Sequence, residues 1–231
     1  MLYHSLGCAI RKIGRAGFPQ SLGNELEPGK MVTDPDYVWK LRGDERPSFM
    51  PYVGTVILRN GSAITDFISS ATITSFAFIC SDRVQSIVKS LEFGDTYFYD
   101  LKVKYKESTY FNYSLLHCLN NYVNQINYQQ SEFKKLRIEN NQWVGEQIKV
   151  RSYEDVKDIK NVFRNNGYRD WTRLEPSIIS LNDNDKIVHD IFTIWGITYR
   201  VYVSEKLLSM FDKAKITGMQ YNFDSEPLEI V

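Results

Sequence analysis

The amino-acid sequence predicts an α+β fold with a mostly antiparallel sheet and a few packed helices. The first observation is a strand–helix–strand unit that occurs twice, with equivalent serines at Ser81 and Ser204. Both units carry the i, i+3, i+4, i+7 apolar spacing of a helix that buries one face. The second observation is a content of 15 Tyr and 13 Phe, which is typical of strands on half-exposed sheet faces.

The first unit begins with Ile73–Cys80, a continuous apolar and β-branched run that predicts a buried strand. Ser81 is predicted to cap the helix, and Asp82 lies in the first turn, where a negative charge opposes the helix dipole. Gly94 is predicted at the helix exit, and the Tyr- and Phe-rich segment Thr96–Val103 as the second strand. The predicted buried helix face consists of Val84, Ile87, Val88 and Leu91.

The second unit follows the same plan near the end of the chain. Ile187–Ile194 and Ile197–Val203 predict two strands joined by a short turn. Ser204, followed by Glu205, is predicted to cap the helix, and Gly218 to end it. Met219–Phe223 is predicted as the last strand. The predicted buried helix face consists of Leu207, Met210, Phe211 and Ala214.

The rest of the chain gives weaker signals. Tyr52–Leu58 predicts a short strand, and Ser152–Phe163 predicts a helix that ends before Gly167. Tyr110–Leu119 is interpreted as a strand followed by an Asn-rich loop, because Asn is a poor helix residue. The alternative for that segment is a helix with one apolar face, formed by Leu115, Leu119, Tyr122 and Ile126.

The chain of 231 residues is expected to form a single domain spanning 1–231. Frequent Gly and Pro make residues 1–63 a loop-rich N-terminal segment. The formal net charge is zero, so no affinity for nucleic acid is predicted. Lys102, Lys104 and Lys106 alternate along a strand and are interpreted as a solvated face rather than a phosphate-binding one.

The cysteine count and the hydropathy profile bear on location. Cys8, Cys80 and Cys118 are an odd number without CxxC spacing, which argues against a disulfide framework and favours a reducing compartment. The sequence has no run of about 18 or more apolar residues, so no membrane span is predicted. No basic segment followed by an apolar stretch precedes Cys8, as a secretory signal would require. A cytoplasmic protein without membrane contact is therefore expected.

A search for catalytic and ligand-binding motifs finds none. The three histidines lie in unrelated segments, and His117 and Cys118 should point to opposite faces of a strand, one buried and one exposed. Zinc, phosphate-loop and hydrolase signatures are absent. The acidic run 181–185 lacks the Gly and distal Glu of a calcium loop. The Ser-acid pairs are explained by helix capping. No catalytic residue, metal or cofactor is predicted.

The amino-acid sequences of the two units resemble those of a known family. Val203–Tyr221 is similar to the C-terminal signature of immunity protein family 11 of the bacterial polymorphic toxin systems. The resemblance spans residues 64–223, as a family-like immunity domain that contains both units. Other segments that fit the family are Thr65-Asp66-Phe67, Ser81-Asp82-Arg83, Tyr97–Val103, Tyr113-Ser114-Leu115-Leu116 and His189-Asp190-Ile191-Phe192.

The resemblance implies an antitoxin-like immunity protein that is not an enzyme. Such a protein binds a cognate toxin and neutralises it stoichiometrically, through a complementary surface with a few aromatic or Arg anchors. Tyr37, Trp39, Arg42 and Arg46 are the candidate partner-binding anchors, because they lie in a polar loop where burial is not obligatory. The alternative is that Trp39 packs beneath this loop.

Two other functions stay open from the sequence. A small-ligand-binding protein or an enzyme would show a concave pocket with converging polar groups and perturbed acids. A structural subunit of a larger assembly would show a large apolar patch and symmetric self-association. The sequence does not predict the toxin, its activity or the oligomeric state.

Overall fold

The computed structural model describes residues 1–10, 13–15, 17–74, 77–139, 142–165, 172–182, 185–222 and 226–231. Within these ranges the chain forms three α-helices and fourteen strands in mostly antiparallel sheets, which confirms the predicted α+β class. The helices are α1 (Asp82–Lys89), α2 (Tyr153–Asn165) and α3 (Glu205–Lys213). The strands are β1 (Leu2–Cys8), β2 (Ser21–Glu25), β3 (Thr55–Leu58), β4 (Phe67–Ile68), β5 (Phe78–Ser81), β6 (Thr96–Tyr105), β7 (Ser108–Cys118), β8 (Glu132–Glu139), β9 (Gln142–Ile148), β10 (Arg173–Ile179), β11 (Ile191–Thr193), β12 (Val201–Ser204), β13 (Met219–Tyr221) and β14 (Leu228–Ile230).

The strands form two sheets. The six-stranded sheet has the order β2-β3-β6-β7-β5-β4, and the eight-stranded sheet has the order β11-β12-β1-β14-β10-β8-β9, with β13 also paired to β1. The β3–β6 and β10–β14 pairs are parallel, and the other strand pairs described are antiparallel. The loop-rich N-terminal segment contributes β1 to one sheet and β2 and β3 to the other.

The two strand–helix–strand units lie in equivalent four-stranded motifs. In the first motif β7 lies between β5 and β6, with β4 outside β5; in the second, β1 lies between β12 and β13, with β11 outside β12. The register matches as well, because Ser81 faces Tyr113 and Ser204 faces Tyr3. The central strands repeat Tyr, Leu and Cys at the same spacing, as Tyr113, Leu116 and Cys118 in one and Tyr3, Leu6 and Cys8 in the other. The two motifs are therefore equivalent, and the reciprocal contacts described next relate them by an approximate twofold axis.

A buried aspartate connects the first motif to the second. Asp66, 7% exposed, accepts hydrogen bonds from the Ser81 hydroxyl at 2.8 Å and from Thr217 N at 3.0 Å. Arg83 forms an ion pair with the same carboxylate at 3.0 Å. Phe67 N donates to Thr217 O at 2.9 Å. The entrance to α1 is thus fixed to the loop that follows α3.

Asp190 makes the equivalent connection in the second motif. Its carboxylate accepts hydrogen bonds from the Ser204 hydroxyl and from Glu92 N, and Lys206 Nζ lies 3.7 Å from it. Its own N–H donates to Glu92 O at 2.8 Å. Because each helix entrance binds the loop after the other helix, α1 and α3 pack antiparallel across the approximate twofold axis.

The two predicted exit glycines lie in these loops rather than at the helix ends, which corrects their assignment as caps. Gly218 has φ +79°, and a Cβ there would lie 2.1 Å from Phe67 O. Gly94 has φ +49°, and a Cβ there would lie 2.3 Å from His189 Nε2. Phe67 and His189 flank Asp66 and Asp190, respectively. Each glycine therefore permits close approach of one motif to the other.

The helix caps differ from the prediction in two further ways. Ser204 caps α3 as predicted, since its hydroxyl accepts from Leu207 N at 3.1 Å. Ser81 occupies the equivalent position and its hydroxyl donates to Asp66, as that of Ser204 does to Asp190, but it makes no cap hydrogen bond. The end of α3 is closed by Lys215, at φ 54°, with Lys215 N bonded to Asp212 O and Ile216 N to Phe211 O. This pattern is a Schellman motif.

Three buried clusters hold the layers together. Val84, Val88, Leu207 and Phe211 bury the predicted faces of α1 and α3 in a cluster between the two motifs. A second cluster lies on the other face of the six-stranded sheet, beneath residues 37–53. The third packs α2, through Val156, against the eight-stranded sheet. Thus both sheets and all three helices bury apolar faces.

Several strand boundaries differ from the predicted ones. Of the predicted strand Ile73–Cys80, only Phe78–Cys80 lies in a strand, β5; Ile73 lies in a turn, and residues 75 and 76 lie outside the described residues. The strands predicted at Ile187–Ile194 and Ile197–Val203 are observed as the shorter strands β11 and β12. The strand predicted at Tyr52–Leu58 begins only at Thr55. Strand β14 follows β13, so Met219–Phe223 is not the last strand, and Phe223 lies outside the described residues. Gly167 and the centre of the acidic run 181–185 also lie outside them.

Other predictions are confirmed. Thr96–Val103 lies within β6, and Tyr110–Leu119 coincides with β7 up to Cys118, which excludes the alternative helix. Ser152–Phe163 matches α2, and the Ser152 hydroxyl accepts from Asp155 N at 3.1 Å, as an N-cap does. Across the ranges given above, no helix is long and apolar enough to cross a bilayer.

Candidate partner-binding surface

The candidate anchors lie on one loop, residues 37–50, which is referred to here as the anchor loop. A short 3₁₀ turn, Val38–Lys40, begins it. Val38 N donates to Tyr52 O at 3.0 Å, and Tyr52 N donates to Asp36 O at 2.8 Å. Val38 and Leu41 are buried in the cluster beneath the loop. These contacts fix the start of the anchor loop on the six-stranded sheet.

Tyr37 is 1% exposed, which corrects its prediction as a surface anchor. Its hydroxyl donates to Asn24 Oδ1 at 3.0 Å. Its ring contacts the ring of Trp39 edge to face, with 5.6 Å between the centroids. Tyr37 therefore supports Trp39 from below instead of facing a partner.

Trp39 is 59% exposed, so it does not pack beneath the loop. Met50, on the same loop, is 75% exposed. The Arg42 guanidinium is also exposed, 3.8 Å from a carboxylate oxygen of Glu45. An exposed pair of this kind contributes little to stability, so it leaves the arginine available to another carboxylate. The loop thus presents an indole, a thioether and a guanidinium to solvent.

Arg46 differs from Arg42 because it lies against an aromatic ring. Its guanidinium carbon is 4.7 Å from the centroid of Tyr97, in cation–π geometry. Tyr97 stacks on Tyr99 at an interplanar angle of 15°. The stack restricts the arginine side chain and lowers the entropy that it would lose on binding a partner.

The middle of the anchor loop is held by a buried histidine. His117 is 0% exposed, and its Nε2–H donates to Arg42 O at 2.6 Å. Burial lowers the pKa of His117 below its ordinary value, so the ring is neutral at pH 7. Cys118 points to the opposite face, as predicted, but it is buried too, at 3%, which corrects the expectation that one of the two is exposed.

Gly43 allows a second element to pack against the loop. A Cβ at Gly43 would lie 2.5 Å from the indole of Trp195, so only glycine fits beneath that ring. Trp195 N donates to Asn121 Oδ1 at 2.9 Å, which fixes the tryptophan in turn. Neither His117 nor Gly43 was predicted as part of the site, because their contacts come from distant segments.

The predicted solvated face of alternating lysines lies beside acidic side chains. Lys102 and Lys104 lie 3.6 Å from carboxylate oxygens of Glu27 and Glu25, respectively. Lys106 lies at a turn with φ 55°, beyond the end of β6. The alternating lysines therefore do not form a continuous basic track.

The metal-binding potential and the thiols of the described residues bear on catalytic chemistry. No group of three His, Cys, Asp or Glu residues there could hold a metal. Burial raises the pKa of the Cys8 thiol to about 12 and that of Cys118 to about 11, so both thiols are protonated at pH 7 and are weak nucleophiles. Both line a cavity of about 460 Å³ between the two motifs. Among the described residues that line it there is no His, Asp, Glu, Lys or Arg.

Comparison with known proteins adds no assignment. No protein-family model matches the chain, and no curated protein matches it.

Proposed function

We propose that this chain is a bacterial immunity protein that binds a cognate protein toxin and neutralises it stoichiometrically, without catalysis. The observation that carries the proposal is the exposure of Trp39, at 59%, on a loop whose backbone is held at its start and its middle. Exposed Trp and Arg side chains on fixed backbone are the usual centres of tight interfaces.

The energetic argument concerns preorganisation. A free loop loses conformational entropy when it binds, and that loss subtracts from affinity. Here Tyr37, Val38 and Leu41 are already buried, so the folded chain has ordered the loop before any partner arrives. A toxin that covers Trp39 and Arg42 then gains apolar burial and an ion pair at a small entropic cost.

The proposed location is the cytoplasm. The cysteines Cys8, Cys80 and Cys118 are all free, which is typical of a reducing compartment. A toxin that acts inside the producing cell or its siblings would be met there by its inhibitor. The immunity function itself is proposed from the sequence resemblance of residues 64–223 described above.

The test starts from the tagged protein in its native cells. Its stoichiometric partners are identified by mass spectrometry, and each is then expressed alone and together with this chain. The proposal requires one partner that stops growth alone and is harmless beside this protein. A partner that is harmless alone, or that stays toxic in its presence, would refute the immunity function.

A further inference from the structure

The cavity between the two motifs lies on their approximate twofold axis. Three equivalent pairs of residues line it: Cys8 with Cys118, Ser69 with Thr193, and Val201 with Phe78. The pairs are equivalent because Cys8 and Cys118 end the central strands, and Ser69 and Thr193 each lie three residues after the connecting aspartate. Each motif therefore supplies matching residues to one shared cavity.

The walls are largely apolar, with a few neutral polar groups. Ile10, Phe18, Ala77 and Trp195 contribute apolar surface. The polar groups are hydroxyls, the two thiols and the amide of Gln220, whose Oε1 accepts from Ile10 N at 3.4 Å. The described residues of the lining include no charged side chain. A charged ligand would lose its hydration there without a counter-charge, so the cavity favours a neutral one.

The mouth carries exposed aromatic rings. Phe18 is 46% exposed and Tyr199 is 64% exposed, and Tyr199 packs edge to face on Trp195, with 4.9 Å between the centroids. At this rim, Lys160 Nζ lies 4.9 Å from the Tyr199 ring centroid. That ammonium already donates to Gly196 O at 2.8 Å.

The cavity is preformed. Trp195 is fixed by its contact over Gly43 and by Asn121, and the two halves are joined through Asp66 and Asp190. Protein interiors contain few voids larger than a water molecule, whereas ligand sites span about 300–1,000 Å³ and occur where structural units meet. At about 460 Å³, this space has the size and the position of a ligand site.

We propose that this cavity binds one neutral, mainly apolar small molecule of aromatic or branched aliphatic character. Its rings or chains lie between Phe78 and Val201, and a single hydrogen-bonding group faces the hydroxyls of Ser69 and Thr193. This proposal does not depend on the toxin-binding role of the anchor loop, although Gly43 of that loop forms part of the cavity wall.

The probe for this site is N-phenyl-1-naphthylamine, a neutral aromatic amine whose fluorescence rises in apolar surroundings. It is titrated into the wild type, Ala71→Trp and Val188→Trp. Ala71 lines the cavity on an exposed loop, so a bulky ring there obstructs the space. Val188 is 60% exposed and does not line the cavity, so it controls for an added surface tryptophan.

The expected result is saturable binding of one probe per chain in the wild type and in Val188→Trp, weakened at least tenfold in Ala71→Trp. Thr193→Met, which narrows the cavity from the other motif, should weaken binding as well. Circular dichroism checks that each variant is folded. Absence of saturable binding, or equal binding in folded Ala71→Trp and Thr193→Met, would overturn the proposal.

Discussion

At the residue scale, two acidic side chains connect the two four-stranded motifs. Asp66 and Asp190 each lie just before a short strand, and each accepts hydrogen bonds from its own motif and from the other. Sequence analysis found the serines that they bind but assigned those serines to capping alone. The partners Thr217 and Glu92 lie too far along the chain for any local pattern to reveal the contact.

Asp66→Ala should lower the free energy of unfolding by about 2–3 kcal/mol, because it leaves the Ser81 hydroxyl and Thr217 N without their acceptor. Arg83 is 58% exposed on its side chain and can be solvated, so it adds little to this cost. Asp82→Ala, in the exposed first turn of α1, is the control and should cost less than about 1 kcal/mol. Denaturant unfolding measures both; equal losses would contradict the connecting role of Asp66.

His117 gives the fold a pH dependence of defined sign. Its pKa is lowered in the folded state, so below an unfolded-state pKa of about 6.5 the unfolded chain binds the extra proton more readily. Its contribution to stability is therefore complete above about pH 6.5 and decreases as the pH falls towards the folded-state pKa.

His117→Gln keeps an N–H that can reach Arg42 O but removes this titration. The wild type should lose more unfolding free energy than His117→Gln between pH 7.5 and 5.5, by up to about 1.4 kcal/mol for each unit of pKa difference. Urea unfolding at the two pH values measures the difference. Parallel losses in the two proteins would show that the burial of His117 does not perturb its titration.

At the scale of elements, local periodicity predicts the three helices and the two longest strands, β6 and β7, but it did not reveal β1, β8, β9 or β10. Helices α1 and α3 and strands β6 and β7 bury continuous apolar faces, and their residues repeat at the periods of helix and strand. The start of the apolar run from Ile73 was misassigned because such a run does not distinguish a buried strand from a buried turn, whereas Phe78–Cys80 lies in β5 as predicted. Ile73 N donates to Ser70 O at 2.7 Å in a turn, and the Ser70 hydroxyl donates to Ala77 O at 2.5 Å.

Gly218→Ala tests the contact between the motifs. The substitution should cost about 3–4 kcal/mol, because a left-handed φ and a clash with Phe67 O act together. Gly29→Ala is the matched control, since Gly29 has φ +86° and nothing within 4 Å of a built Cβ; about 1 kcal/mol is expected there. Similar losses by thermal and urea unfolding would show that the close approach at Gly218 is unimportant.

At the scale of the whole molecule, the architecture depends on pairs of strands that are distant in sequence, which no local pattern reveals. Strand β1 lies between β12 and both β13 and β14, about 200 residues away in sequence. A three-residue strand such as β14 is too short to show a periodic pattern. The repeat of units was visible in the sequence. That the two units face each other across an axis, with a cavity on it, required the three-dimensional structure.

The candidate site was predicted in part. The anchor loop is ordered and exposes Trp39 and Arg42, in keeping with the reasoning that a polar loop need not bury its large side chains. The prediction that Tyr37 is exposed was wrong, because its side chain is buried by contacts with Asn24 and with the cluster beneath the loop, which the local sequence does not reveal. The partner-binding role of Trp39, Arg42 and Arg46 stays a prediction.

That role is tested most directly by calorimetric titration of the cognate toxin into the wild type, Trp39→Ala, Arg42→Ala and Phe111→Ala. Phe111 is 71% exposed on β7, outside the anchor loop, and is the matched aromatic control. We expect one toxin per chain, about 30-fold weaker binding or more for Trp39→Ala, a smaller loss for Arg42→Ala, and no change for Phe111→Ala. Unchanged affinity in folded Trp39→Ala and Arg42→Ala would contradict the account.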